Sequence, residues 1–203
     1  MAVKMGINLR KRQRIIDTTV NLFLHSDDVR KVSVEAIAAS ACVSPTTVYN
    51  QFGTRDTLVI EAAKNLIRDI VERVRVILHS DMTFDDKMRA VISNKLEISS
   101  KVNDEVVYKV ISQDKNIAPY LEKIYTSEVR QLWMEMLEQG KKQGFIDTSL
   151  DQEAFITYMN IIRAGFASQA GLFEHWKDNI EMIEKLTQLM FFGFLKKDID
   201  LFD

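Results

Sequence analysis

Proline is scarce in this chain, at positions 45 and 119 only, and the 203 residues include seven glycines and one cysteine. With so few breakers, and with Leu, Ile, Lys, Glu, Met and Ala filling long periodic stretches, an all-α chain is predicted. The single cysteine, Cys42, excludes an internal disulfide and fits a reducing compartment. No apolar run approaches the roughly 20 residues of a membrane span. The basic N-terminus leads into Asp17 instead of the apolar core of a secretion signal, so a cytoplasmic protein with no membrane partner is expected. Histidine is equally thin. His25, His79 and His175 stand far apart, none with a second ligand at metal-binding spacing on a helical turn, which argues against zinc. No Gly-rich loop follows a strand, no serine occupies a nucleophile elbow, and Cys42 has no local base. A non-enzyme is expected, without catalytic residue, metal or cofactor.

What is present is 46% hydrophobic content, enough for one large or two small domains, and an uneven charge. Residues 1–60 carry eight basic side chains against five acidic ones, a balance of +3 in a chain of net charge −2, which leaves −5 for the remainder. The basic residues concentrate in Arg10-Lys11-Arg12-x-Arg14, read as a cationic arm just ahead of the first helix. Alone, such a run is a solvated tail; beside a DNA-binding motif it suits phosphates or an adjacent minor groove.

That motif lies downstream. In Ser44-Pro45-Thr46-Thr47-Val48-Tyr49-Asn50-Gln51-Phe52, Ser44 is an N-cap, Pro45 sits where the first turn can spare an N–H, and Gly53 supplies a left-handed stop. Val48 and Phe52 share one face, while Thr46, Thr47, Tyr49 and Asn50 point elsewhere and leave a polar face that a core would not want. Ser33 caps a preceding helix, Val34 to Ala41, whose alanines permit a close helix crossing, and Cys42-Val43 turns the chain into Ser44. A still earlier helix carries Ile16, Val20, Phe23 and Leu24 at helical spacing, completing a three-helix unit around a helix-turn-helix.

The stretch from Arg14 to Leu58, with IIDTTVNLF, SVEAIAASACVSPTTVYNQF and GTRDTL, resembles the N-terminal DNA-binding domain of the TetR family of transcriptional repressors. Helix lengths, caps, the Ile-Ala pair, the Val-Ser-x-x-Thr-Val-Tyr-x-x-Phe string and the following basic residue agree together. Two features depart from the family pattern. Cys42 stands where glycine is usual, and a non-glycine residue at positive φ costs on the order of 1 kcal/mol. The segment His25 to Val32 lacks the usual Gly-aromatic turn.

The resemblance implies a helix-turn-helix domain over 1–58 and a helical ligand-binding and dimerisation domain over 59–203. It implies a homodimeric, ligand-responsive regulator, a repressor by family habit, that binds a palindromic double-stranded operator and is released by a small-molecule inducer. Carried onto this sequence, it sets Thr46 and Thr47 nearest base edges, Tyr49 against the DNA backbone and Asn50 on the same face. Ser33 and Arg55 fall at phosphate positions, with Arg10, Lys11 and Arg12 adding charge. The alternative is a helical adaptor that binds a protein and keeps the N-terminal motif only as a fold. Salt separates the two readings, because phosphate binding weakens steeply with salt and an apolar protein interface does not.

Beyond the reading head, a rod helix is predicted from Arg55 to Leu78, with Leu58, Ala62, Leu66, Ile70 and Val74 as its apolar row. Thr83 caps a helix over 85–102, Asp104 opens a shorter one over 105–112, and Pro119 opens a long helix to Gln143 that ends at Gly144. Ser149 and Asp178 are read as the caps of the last two helices, for about nine helices in all. Ala164, Ala167, Ser168 and Gly171 form a small-residue stripe on the penultimate helix, and the last offers Ile180, Ile183, Leu186, Met190, Phe191 and Phe194. Spacing alone fits packing within one subunit equally well; the resemblance implies a two-fold four-helix dimer interface. Among the aromatic residues of this region, Tyr108, Tyr125, Trp133, Tyr158 and Phe166 are the candidate ligand lining, although each taken singly is ordinary core.

Overall fold

The computed structural model describes residues 2–26, 31–101, 117–168 and 179–192. The described elements are helical: α1 Ala2–Leu24, α2 Val34–Ser40, α3 Pro45–Phe52, α4 Arg55–Leu78, α5 Phe84–Lys101 and α6 Ala118–Ile124. There follow a π-type turn Tyr125–Val129, α7 Arg130–Lys142, α8 Gln152–Ser168 and α9 Ile180–Phe192. The expected helix over 105–112 and residues Tyr108, Gly171 and Phe194 lie outside the described residues. Two compact units emerge, one from Met1–Ile70 with Lys101–Glu122, the other from Val71–Ser100 with Lys123–Asp203; the first division falls inside α4.

The first unit is built on α1 to α3 and the start of α4. Ile15, Ile16, Val34, Ile37, Ala38, Val48, Phe52 and Leu58 form its buried core, with Leu22, Phe23 and Val43 packed against it. Full burial of side chains such as Ile37 and Leu58 contributes roughly 1.5–3 kcal/mol each before chain entropy is counted. Thr19 is also buried, and its hydroxyl donates to the Ile15 carbonyl at 2.7 Å, which removes the cost of a lone polar group. The cationic run is not an arm ahead of α1: Arg10 to Arg14 lie within that helix. No proline interrupts residues 2–24, and arginine and lysine are themselves good helix formers.

Helix α4 spans the residues predicted, but its buried row differs. Leu58, Ala62, Ala63, Ile67, Val71 and Leu78 are buried, whereas Leu66, Ile70 and Val74 are only partly covered. Each step of four residues overshoots a full helical turn by about 40°, so a strict i+4 row drifts off the contact line.

In the second unit the C-terminal end of α4 is closed by a buried lysine. Lys87 Nζ donates to the Leu78 carbonyl at 2.8 Å and to Gln139 Oε1 at 2.9 Å, and Gln139 Nε2 donates to the same carbonyl at 3.1 Å. A cation at the last free carbonyl of a helix is electrostatically favoured. Gly140 on α7 lets Ile146 and Phe84 pack close, since a Cβ there would lie 2.5 Å from Ile146 Cδ1 and 2.8 Å from Phe84 Cζ. The helix expected from Pro119 to Gln143 runs from Ala118 to Lys142, with the π-type turn Tyr125–Val129 set within it between α6 and α7. Two caps also shift. Asp151 accepts from the Ala154 N–H at 2.7 Å and caps α8, while Ser149 donates its N–H and hydroxyl to Asp147. Asn179 accepts from the Met182 N–H at 3.0 Å and caps α9; Asp178 lies outside the described residues.

Candidate nucleic-acid interface

The turn between α2 and α3 sets the site. Ser33 Oγ accepts from the Ala36 N–H at 3.1 Å and starts α2. At its far end the Cys42 N–H donates to the Ala39 carbonyl at 3.1 Å and the Val43 N–H to the Ala38 carbonyl at 2.9 Å. This is the paired bonding of a Schellman motif, which requires a left-handed residue between helix and exit. Cys42 takes that role at φ 52°, so the turn keeps its geometry without glycine and carries the strain. Val43 then packs on the core and directs the chain into Ser44.

Ser44 Oγ accepts from the Thr47 N–H at 3.2 Å and lies 2.9 Å from Thr47 Oγ1, with Pro45 in the first turn of α3. Gly53, at φ 74°, ends the helix. Between these stops Val48 and Phe52 face the core, while Thr46 and Asn50 are exposed, Thr47 is half-buried and Tyr49 is 47% exposed. The four candidate groove residues therefore stand on one short helix whose opposite face is anchored.

Thr54, which the sequence reading passed over, caps α4 by accepting from the Thr57 N–H at 3.1 Å. Next to it Arg55 Nε donates to the Val32 carbonyl at 3.1 Å, which brings Arg55 beside Ser33. The two residues assigned to phosphates are thus brought together, both at helix starts where amide N–H groups favour anions. Arg10 and Lys11 are exposed on α1. Arg12 is not: it pairs with Glu61 at 2.9 Å and its guanidinium lies 4.9 Å from the centre of the Phe52 ring. Partial burial pushes the Glu61 carboxyl up, but the hydrogen bonds and charges of Arg12 and Lys64 outweigh this and hold it below its ordinary range. Gln13 donates to Asn65 at 2.9 Å and to Asp17 at 2.8 Å, and Gln51 on α3 donates to Asn8 on α1.

In the second unit, Tyr125 and Trp133 come together with ring centres 6.5 Å apart, and the Arg163 guanidinium lies 4.9 Å from the centre of the Tyr125 ring. Burial pushes the Tyr125 hydroxyl up, opposed by the charge of Arg163. Tyr158 is also pushed up by burial, and its hydroxyl donates to the Met190 carbonyl at 2.8 Å, fastening α8 to α9. Of Phe166, Ala167, Ile183 and Phe191 only the backbone is described. Ala164 and Ser168 are exposed and continue a row with Gly165 and Ile161, the latter 63% exposed. Leu189 on α9 is 67% exposed, and Leu186 and Met190 are half-buried. An open cleft of about 500 Å3 lined by Glu138, Gln139, Lys141, Lys142 and Thr148 contains none of the ligand candidates. No three His, Cys, Asp or Glu side chains gather as a metal site among the described residues. Nor is any described helix long and apolar enough to cross a membrane.

A capped helix pair joined by a Schellman turn, with a polar outward face on the second helix, defines a helix-turn-helix DNA-binding protein. Residues 15–62 match the model of the bacterial regulatory proteins of the tetR family. Over that stretch the chain is similar to the DNA-binding region of this family of transcriptional regulators. It is 24% identical over 156 residues to the HTH-type transcriptional repressor KstR2 of Rhodococcus jostii (strain RHA1), across 73% of this chain and 74% of that protein. Its fold is that of the TetR transcription regulatory protein from Mycobacterium vanbaalenii, at TM-score 0.62 and 18% identity, with 95% of this chain and 99% of that one covered. The fatty acid degradation regulator FadR from Bacillus halodurans is similar at TM-score 0.60 and 17% identity, covering 89% and 94%.

Proposed function

We propose that this chain is a homodimeric, ligand-responsive repressor that works in the cytoplasm and binds a palindromic operator. The observation that carries the reading is the exposed polar face of α3, held between the Ser44 cap and Gly53 with Val48 and Phe52 buried behind it. Thr46 and Thr47 meet base edges, Tyr49 and Asn50 complete the face, and Ser33, Arg55, Arg10 and Lys11 take phosphates. Repression, as the sign of regulation, follows the named activity of the KstR2 relative.

Dimerisation is assigned to α8 and α9. Ala164 and Ser168, with Ala167 and Gly171, supply a low surface that a second helix can approach closely, and Ile183, Met190, Phe191 and Phe194 supply the apolar area. The inducer is assigned to the Tyr125 and Trp133 pair with Tyr158, Phe166 and Tyr108, and is a small molecule with an apolar body. Two recognition helices reach successive major grooves only at a separation of about 34–36 Å, so a ligand that prefers another separation releases DNA without unfolding the protein. By reciprocity, operator DNA then weakens ligand binding by the same factor.

The test is binding of the full chain to a duplex enriched from a random pool, read across salt concentration. A steep salt slope and an operator preference are expected; a flat salt response would favour the adaptor reading. Arg55→Ala should weaken operator and random DNA alike and reduce the slope by about one unit. Ser168→Arg should yield a monomer in sedimentation with operator affinity lost; a dimer of normal affinity would remove the assignment of α8 and α9.

A further inference from the structure

We propose that Arg12 is a positioning residue: stacked on Phe52 and paired with Glu61, it sets the pitch of α3 against α1 and α4, and through that pitch the operator preference, without itself meeting DNA. The inference rests on α3 being the DNA-reading helix. Successive residues on α1 are turned by about 100°, which separates Arg12 from Arg10 and Lys11 although the three are contiguous. Arg10, Lys11 and Arg14 are exposed, whereas the Arg12 guanidinium is engaged from two sides.

Those two sides belong to the elements whose relative placement matters. Phe52 is the last residue of α3, immediately before the Gly53 stop, and is buried. Glu61 lies on α4, where Lys64 also reaches it at 3.4 Å. The Ser44 cap holds the N-terminal end of α3 to the turn; the Arg12 stack holds its C-terminal end to α1 and α4. The bond from Gln51 to Asn8 adds a second tie between α3 and α1, and Gln13 to Asn65 a second tie between α1 and α4. The planar guanidinium is suited to this place, since it can lie on a ring face while its edge donates to a carboxylate, which an ammonium point charge does less well.

Glu61 supplies a test of opposite sign. If Arg12 were a phosphate contact, neutralising Glu61 would remove a nearby negative charge and strengthen binding to any DNA. If Arg12 positions α3, Glu61→Gln weakens the pair and lowers affinity for the preferred sequence alone.

The experiment uses the full chain and two duplexes, one enriched by the wild-type protein from a random pool and one of random sequence, with affinities measured across salt for Arg12→Met, Arg12→Lys, Glu61→Gln and Arg12→Met/Glu61→Gln. The expected result is a loss of about tenfold on the enriched duplex for Arg12→Met and a smaller loss for Glu61→Gln, with random-DNA affinity and salt slope unchanged. The double variant should be no worse than Arg12→Met alone, because the two residues act as one unit. Arg12→Lys should remain impaired, and being close in size and charge it keeps the test informative should Arg12→Met fail to fold. Equal losses on both duplexes with a slope lower by about one, rescue by Arg12→Lys, or tighter binding by Glu61→Gln would each overturn the proposal. Unchanged preference in all variants would overturn it as well. Failure of the wild-type chain to enrich any sequence is a separate outcome that removes the DNA-reading assignment itself.

Discussion

The two compact units are both helical and both carry buried apolar cores, yet they differ in how their polar groups are arranged. In the first unit capping groups hold the helix starts, ties such as Arg12 to Glu61 and Gln51 to Asn8 join helices, and the remaining polar side chains of α3 face outward. In the second unit several polar groups fasten helices together: Lys87 and Gln139 hold the end of α4, Arg75 pairs with Glu128 at 2.8 Å, and Tyr158 fastens to α9. An outward polar face with its caps satisfied and its back buried is a functional statement; a web of inward fastenings is a structural one. A reading head can therefore be recognised from local chemistry, while a ligand site must be distinguished from a core built of the same residues.

The comparison can be broken most forcefully through the cores. Leu58→Ala should destabilise the protein by about 2–5 kcal/mol in chemical denaturation, because the side chain is fully buried among α1 to α3 and has no room to be replaced. Gly140→Ala is the counterpart in the second unit. The added methyl collides with Ile146 and Phe84, and overpacking should exceed the gain in helix propensity, for a net loss of about 1–2 kcal/mol. At a temperature where the variant is folded, its operator affinity should equal that of the wild type; a changed affinity would show that packing in the second unit feeds the reading head.

Tyr49→Ala separates function from stability in the first unit. The side chain is largely exposed, so the denaturation midpoint should stay within about 0.5 kcal/mol of the parent while operator affinity falls about tenfold. Unchanged affinity in this variant and in Thr47→Ala together would remove α3 from the groove. Cys42→Gly should raise stability by up to about 1 kcal/mol, since glycine relieves the left-handed strain at φ 52° but gives back part of the gain as chain entropy. A loss of stability would mean that the thiol makes a contact worth more than the strain.

The smallest effect is one of pH. The Glu61 carboxyl is held below its ordinary range in the folded protein, so its pairing contributes stability that is fully present above the unfolded glutamate value near 4.5 and is lost as pH falls through the lowered folded value. Stability measured against pH should therefore have a shallower acid limb in Glu61→Gln than in the parent. Parallel limbs would mean that the pair with Arg12 is too solvent-screened to matter.

How much of this was legible follows from the range of each interaction. Ser33, Ser44, Pro45 and Gly53 act on backbone groups a few residues away, so their roles can be read from the string, and the structure places them as read. Cys42 was legible as a problem, because a turn that wants a left-handed residue announces itself by its flanks. The last two caps were not resolved locally: Ser149 lies within reach of Asp147, whose carboxylate captures it, and capping passes to Asp151. The run from Arg10 to Arg14 was misread as an arm although it continues α1, and no local pattern marks Arg12, whose partner Glu61 is far along the chain, as the member that turns inward. The π-type turn left no trace in a sequence that reads as continuous helix. In the candidate ligand region two of the five named residues, Tyr125 and Trp133, lie near each other, but the hydroxyl of Tyr158 serves a carbonyl of the next helix, which spacing cannot reveal.

If Thr47 meets a base edge as proposed, its hydroxyl pair with Ser44 has a bearing on recognition. Either oxygen can be the donor across their 2.9 Å contact. When Thr47 gives its proton to Ser44, the outward side of its oxygen is left as an acceptor, matched to the amino groups of adenine and cytosine. When Ser44 gives its proton instead, Thr47 keeps its own and presents a donor, matched to guanine O6 and N7 or thymine O4. The residue that starts α3 thereby holds, in the direction of a single proton, the hydrogen-bonding sense of a side chain on its outer face. Ser44→Gly retains a tolerable cap but removes the hydroxyl partner that orients Thr47, so its signature would be a weaker base preference at one operator position with little change in fold.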